Sequence, residues 1–342
     1  MKPFRLAAAA AALASFVPFA SQAQDNVLNL YSARHYQTDE ALYTNFTKAT
    51  GIAINRIEAG DEQLIERLKS EGTNSPADVL LIVDASRLYN AQQIGLFQPV
   101  RSAALDQRIP ASMRDPNGEW FGFSSRARVL VYNKAQLKPS DVATYESLAD
   151  PKLKGKICVR SGAHPYNLSL VASMITHDGE AKTEQWAKGV VANFARQPKG
   201  GDLDQIKAVA AGECDVAIVN SYYYARVLRS TRPEDREIAA KTAVVWPNQA
   251  GAGTHVNISG AGVMKHAPNR EAAVRFLEYL ASDEAQRYFA DGNNEWPVVA
   301  GVKTSNPVLA AFGDFKRDAV NVAVLGRNQP ESQKIYDRVA WK

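Results

Sequence analysis

From residue 27 onward, two spacings of apolar residues alternate along the chain. VLNLYSA (27–33) reads as a short strand, and TDEALYTNFTKATG as a helix closed by Gly51. IAINRIEA is a second strand, followed by GDEQLIERLKSEG as a helix. That helix carries Asp61 and Glu62 in its first turn, an apolar stripe of Leu64, Ile65 and Leu68, and Gly72 as its stop. ADVLLIVD (77–84) is an almost unbroken apolar run, as expected of a strand covered on both faces. After a less regular middle, ARVLVYNK, KGKICVRSG and CDVAIVN read as strands. Residues 180–197 and 202–212 read as helices, and NREAAVRFLEYLASDEAQRYFADG as an amphipathic helix pair. Strands alternating with helices predict an α/β fold with mixed, mainly parallel sheets. WPNQAGAGTHVNISGAGV, rich in Gly and Asn, reads as a segment crossing between domains.

The first residues break this pattern. Lys2 and Arg5 precede an apolar stretch from Leu6 to Ala20, and Ser21-Gln22-Ala23 offers a small-x-small cleavage site. This predicts a secretory signal peptide over 1–23. A membrane anchor is disfavoured, because the stretch contains Pro18 and falls short of the roughly 20 residues a span needs. No Cys lies near the cleavage point to carry a lipid, so a mature protein free in the periplasm is expected. A chain of 342 residues suggests about two domains. Lys2 and Arg5 are the only charges in 1–23, so export lowers the formal charge from +4 to +2. That near-neutral balance gives no argument for nucleic acid or an anionic membrane surface. Cys158 and Cys214 both fall in strand-like runs, and in an oxidising compartment a disulfide between neighbouring strands is expected.

No nucleophile elbow, zinc helix, P-loop or dinucleotide fingerprint is present, and the five histidines (35, 164, 177, 255, 266) form no i, i+4 pair. This argues against an enzyme. Three stretches carry unusual chemistry instead: YSARHYQTD with Arg34, His35 and Tyr36; SGAHPYNLS with His164 and Tyr166; and NSYYYARV with Tyr222, Tyr223 and Tyr224. Each follows a predicted strand, where open α/β sheets place their ligands. Any one of these tyrosines reads as packing; three such loops together point to a site. An ionised phenol is a hard anionic oxygen suited to a hard, highly charged cation, and ferric iron is the obvious biological candidate.

The chain resembles the ferric-iron-binding periplasmic proteins of ABC transporters, the FbpA/FutA-type family. The likeness runs over essentially the whole mature chain, through LNLYSARHYQTDEALYTNFTKATG, PADVLLIVDASRLYNAQQIGLFQPV, TYESLADPKLKGKICVRSG and FLEYLASDEAQRYFADGNNEWPV. It implies a two-lobed periplasmic-binding-protein fold of type II with a hinge. One lobe would hold 24–124 plus 249–299, and the other 125–248 plus 300–342. It also implies Fe(III) as transported ligand on Tyr36, Tyr166, Tyr222 and Tyr223, with His35 as a further ligand or a hydrogen-bonding neighbour. Tyr224, where the family usually has an aliphatic residue, is expected to pack. Arg126 and Arg226 would stand behind the site, with Arg128 and Arg34 as weaker candidates expected in surface ion pairs; carbonate or a similar anion would complete it. The expected partners of this monomer are an inner-membrane permease and its ATPase. An organic-ligand binder for a phosphonate, polyamine or thiamine, with the phenols as aromatic walls, is the alternative reading. An exported enzyme is a more distant one.

Overall fold

The computed structural model describes residues 26–34 and 38–342. The signal-peptide reading of 1–23 and the positions of His35 and Tyr36 lie outside the described residues. In chain order the elements are β1 (Val27–Ser32), α1 (Asp39–Thr50), β2 (Ala53–Glu58), α2 (Asp61–Glu71), β3 (Val79–Val83), α3 (Ala85–Gln93) and α4 (Ala103–Arg108). Then come β4 (Phe121–Asn133), β5 (Ile157–Cys158), α5 (Pro165–Asp178), α6 (Glu180–Ala192), α7 (Asp202–Ala211), β6 (Val216–Asn220) and α8 (Ser221–Arg229). The chain closes with α9 (Pro233–Lys241), β7 (Thr242–Val245), β8 (Val256–Val263), α10 (Arg270–Leu280), α11 (Asp283–Asn293), β9 (Trp296–Pro297), α12 (Pro307–Phe312) and α13 (Ala323–Arg338).

The strands hydrogen-bond in the order β2-β1-β3-β8-β4-β6-β5, with β7 and β9 also pairing with β4. The parallel pairs, β1 with β2 and β3, and β5 with β6, are those the βα alternation predicts. Antiparallel pairing takes over in the centre, where β8 and β4 run between the two halves. Strand β4 belongs to both: Phe121–Ala127 pairs with β8, and Arg128–Asn133 pairs with β6 and β7. The fold is therefore two-lobed, with the change of partner falling between Ala127 and Arg128.

This explains why only the second half of β4 is visible in the apolar pattern. Its first half holds Ser124, Ser125 and Arg126, and all three are buried. Strand β8 is also absent from the pattern, because its glycines look like loop residues. They are there for lack of space: a Cβ on Gly260 would meet the Phe121 carbonyl oxygen at 2.5 Å, and one on Gly262 the Glu119 carbonyl oxygen at 2.5 Å.

One further tie joins the halves, and another braces the second. Helix α13 packs on α5 and presses Gly326 onto the ring of Tyr89 in α3, leaving no room for a Cβ at that position. Cys158 of β5 and Cys214, just before β6, form a disulfide with Cα atoms 5.8 Å apart. Closing a loop of 56 residues restricts the unfolded chain and favours the folded second lobe.

Candidate metal centre

Two tyrosine-bearing segments start as helix first turns at the ends of strands. After β5 the chain turns at His164, which caps α5: its Nδ1 accepts the Tyr166 N–H at 3.3 Å. Pro165 opens the helix with its φ preset, and Tyr166 follows. Strand β6 runs directly into α8 at Ser221, whose hydroxyl accepts the Ala127 N–H at 3.2 Å. That bond fastens the start of α8 to β4 where β4 changes partners. Tyr222 and Tyr223 then occupy the first turn of α8.

The two segments bring their phenols together. The hydroxyls of Tyr166 and Tyr222 lie 3.1 Å apart, and the Tyr222 and Tyr223 rings lie 4.3 Å apart at 31°. Hard cations take oxygen donors at about 2.0–2.6 Å, so neighbouring donors on one ion stand about 3 Å apart. The 3.1 Å separation has that spacing. Tyr224 turns the other way: it is buried, its hydroxyl donates to the Thr242 carbonyl at 3.0 Å, and burial pushes its pKa up.

The surroundings are cationic. Guanidinium carbons of Arg160, Arg128 and Arg126 lie 5.1, 5.8 and 5.9 Å from the Tyr166 ring centre. Arg226, one turn on in α8, lies 5.2 and 5.6 Å from the rings of Tyr222 and Tyr223. Both helix N-termini add positive partial charge. Among the described residues, no cluster of three or more His, Cys, Asp or Glu has the arrangement of a metal site. Phenol oxygens are thus the hard donors that the described residues bring together here, with Arg126 and Arg226 beside them and Asp202 offsetting part of the charge of Arg128 and Arg160.

Arg126 is the most unusual of these cations. It is 2% exposed, and its Nη1 donates to Ser259 Oγ at 2.9 Å, while Nε and Nη2 have no hydrogen-bond partner among the described residues. Burial pushes its pKa down, but Tyr166, Glu295, Tyr222 and Asp84 hold it above the usual arginine value. Asp84, at the end of β3, has φ 93°, a backbone region that non-glycine residues rarely enter. Its carboxylate accepts from the Ser86 N–H and from Asn257 Nδ2, and burial raises its pKa against the pull of Arg126.

Arg34 and Arg128 are corrected from surface ion pairs to buried ones. Arg34 donates to Asp39, to Glu295 and to the same Ser259 hydroxyl that Arg126 uses. It therefore ties the end of the β1 run to α1, to β8 and to the residue before β9. Arg128 donates to Asp202, Asn220 and Asn167, locking β6, α7 and α5 together behind Tyr166. Both are structural braces. Arg160, Ser259 and Glu295 escaped the sequence reading, because Arg160 sits among ordinary loop residues and the others become relevant only through distant partners.

Two histidines give this region a pH dependence. Burial, then Arg160 and Arg128, push His164 down to about 3. Burial pushes His255, whose Nε2 lies 3.0 Å from Ser169 Oγ, down to about 4. Unfolded, both titrate near 6.5, so below that pH the unfolded state binds more protons. Stability should be fully present above about pH 6.5 and fall as pH drops toward 4. His255 alone should account for a loss on the order of 3 kcal/mol. Denaturant unfolding at pH 7 and pH 4.5 measures the decline, and His255→Gln should make it shallower.

Residues 41–313 match the model of the bacterial extracellular solute-binding protein family. Iron uptake protein A2 of Synechocystis sp. is 55% identical over 328 residues, covering 95% of this chain and 93% of that protein. The Fe(3+)-binding periplasmic protein of Serratia marcescens is 30% identical over 323 residues, 92% of each chain. The structure of Trichodesmium FutA in complex with iron and citrate ligands superposes with a TM-score of 0.90 at 56% identity, covering 92% of this chain and 100% of that one. The chain therefore belongs to the bacterial extracellular solute-binding proteins, within the FbpA/FutA-type family of ferric-iron-binding periplasmic proteins.

Proposed function

We propose that the protein captures ferric iron outside the cytoplasm and delivers it to an inner-membrane ABC permease with its ATPase. The ligands in this reading are the phenolates of Tyr166, Tyr222 and Tyr223 from the second lobe and of Tyr36 from the first, with His35 beside it. The observation that carries it is the pair of phenol hydroxyls 3.1 Å apart, ringed by guanidinium groups and with no carboxylate cluster among the described residues. Four phenolates on a trivalent ion leave one negative charge, which Arg126 and Arg226 offset. The open N–H groups of Arg126 also suit a companion anion, carbonate or a carboxylate such as citrate.

Export through the signal peptide of residues 1–23 would place the monomer in the periplasm. The lobes would be 24–124 plus 249–299 and 125–248 plus 300–342, with β4 and the 246–255 segment as hinge. Binding is equilibrium capture with release of phenol protons, so affinity should rise with pH, and no chemical turnover is required. The guanidinium ring disfavours a polyamine or thiamine as ligand, since either would bring a further cation among the arginines.

Ferric citrate added to the purified protein tests this directly. A visible phenolate-to-iron absorption band saturating at one iron per chain is expected. A colourless protein that retains no metal would overturn the assignment.

A further inference from the structure

A cavity of about 810 Å³ is lined by residues 296–304 on one wall and by α12 and the turn leading to Arg317 on another. Its size falls within the range of small-molecule sites, about 300–1,000 Å³. Trp296, Val299, Val302 and Leu309 make it apolar, and Arg317 and Lys303 make it cationic. Neither cation is in an ion pair among the described residues, although Asp314 also lines the cavity.

Arg317 is the informative residue. It is half-buried beside Phe315, with its guanidinium carbon 5.4 Å from that ring centre. Among the described residues, its one side-chain hydrogen bond is a long contact from Nη1 to the Pro297 carbonyl at 3.5 Å. A guanidinium carries five N–H donors, and most of those of Arg317 are left to solvent or to a ligand in the cavity. Burial lowers its pKa, with Asp314 opposing, so the group sits in a desolvated place. By contrast, Arg128 and Arg34 have carboxylates in direct contact. A planar fork facing an apolar wall matches a carboxylate carried on a hydrocarbon body, which the fork can grip with two parallel N–H bonds.

We infer that this cavity is a second ligand site, for a small organic anion with one carboxylate and an apolar body. It is separate from the phenol cluster and does not depend on which metal that cluster takes.

Octanoate titrated into the iron-free protein by calorimetry is the test. Saturable binding at one per chain is expected, weakened at least about tenfold in Arg317→Gln by loss of a charge-assisted pair. Val302→Glu, which leaves Arg317 in place but puts a like charge in the cavity, should weaken it too, and it serves if Arg317→Gln does not fold. Octanol, without the charge, should bind more weakly to the unsubstituted protein and be indifferent to Arg317→Gln. Ferric colour should persist in both variants, so the outcome is independent of the iron assignment. No saturable octanoate binding, or equal binding with and without the substitutions, would overturn the inference.

Discussion

Changing Tyr222 and Tyr223 together to phenylalanine should abolish the ferric absorption band and remove tight iron binding, while leaving the protein folded. Each substitution keeps the ring and its packing and deletes one oxygen. For Tyr222 the structural cost is its hydroxyl contact with Tyr166, about 1 kcal/mol. The cost to binding is a metal–oxygen bond. Removing residues that merely support a metal ligand already costs about 10–100-fold in affinity, so a lost ligand should exceed that for either single variant. Tyr224→Phe is the control on the same helix. It removes a hydrogen bond to Thr242, should cost about 1 kcal/mol of stability, and should leave both colour and affinity as they were. Equal iron binding in the double variant and the unsubstituted protein would move the metal away from α8. Equal losses in the double variant and in Tyr224→Phe would point to a general disturbance of the helix.

Replacing Arg126 with methionine should weaken both the fold and iron binding, and the two losses can be separated. In the iron-free protein the guanidinium is buried, and among the described residues it has one hydrogen bond and two nitrogens without partners. Asp84 and Glu295 help hold that charge in place, and removing one partner from a buried charge cluster leaves the others uncompensated, typically at a cost of about 3–5 kcal/mol. The melting temperature without iron should therefore fall. Once phenolates form around a trivalent ion, the same guanidinium becomes a counter-charge in a place of low dielectric. Its loss should weaken ferric binding by about 10–100-fold and move the absorption band. A loss of iron that came only from the weaker fold would disappear at temperatures where the variant is fully folded.

The local elements were legible because their signals are local. The apolar run of β3, the acid-capped α2 with its Leu64 and Leu68 stripe, and the α10–α11 pair can each be read within about a dozen residues. The pairing of Cys158 with Cys214 was expected from two strand-like runs in a chain read as exported, and the structure contains it. The tyrosines could be singled out because phenols at strand ends are poor core residues. What escaped depends on distant partners. Arg126 finds its hydroxyl 133 residues away on Ser259, and Ser124 reaches Glu295 across 171 residues. With those partners unknown, the polar half of β4 looks like a loop. Strand β8 is disguised by glycines whose reason is the neighbouring backbone, and the positive φ of Asp84 leaves no mark in composition.

Crystals of the ferric-loaded protein, with anomalous diffraction collected at the iron edge, address the central claim most directly. A single anomalous peak within coordination distance of the hydroxyls of Tyr166, Tyr222 and Tyr223, closed from the first lobe by Tyr36, is the predicted result. A peak elsewhere, or one bound by carboxylates or water with those hydroxyls turned away, would contradict it.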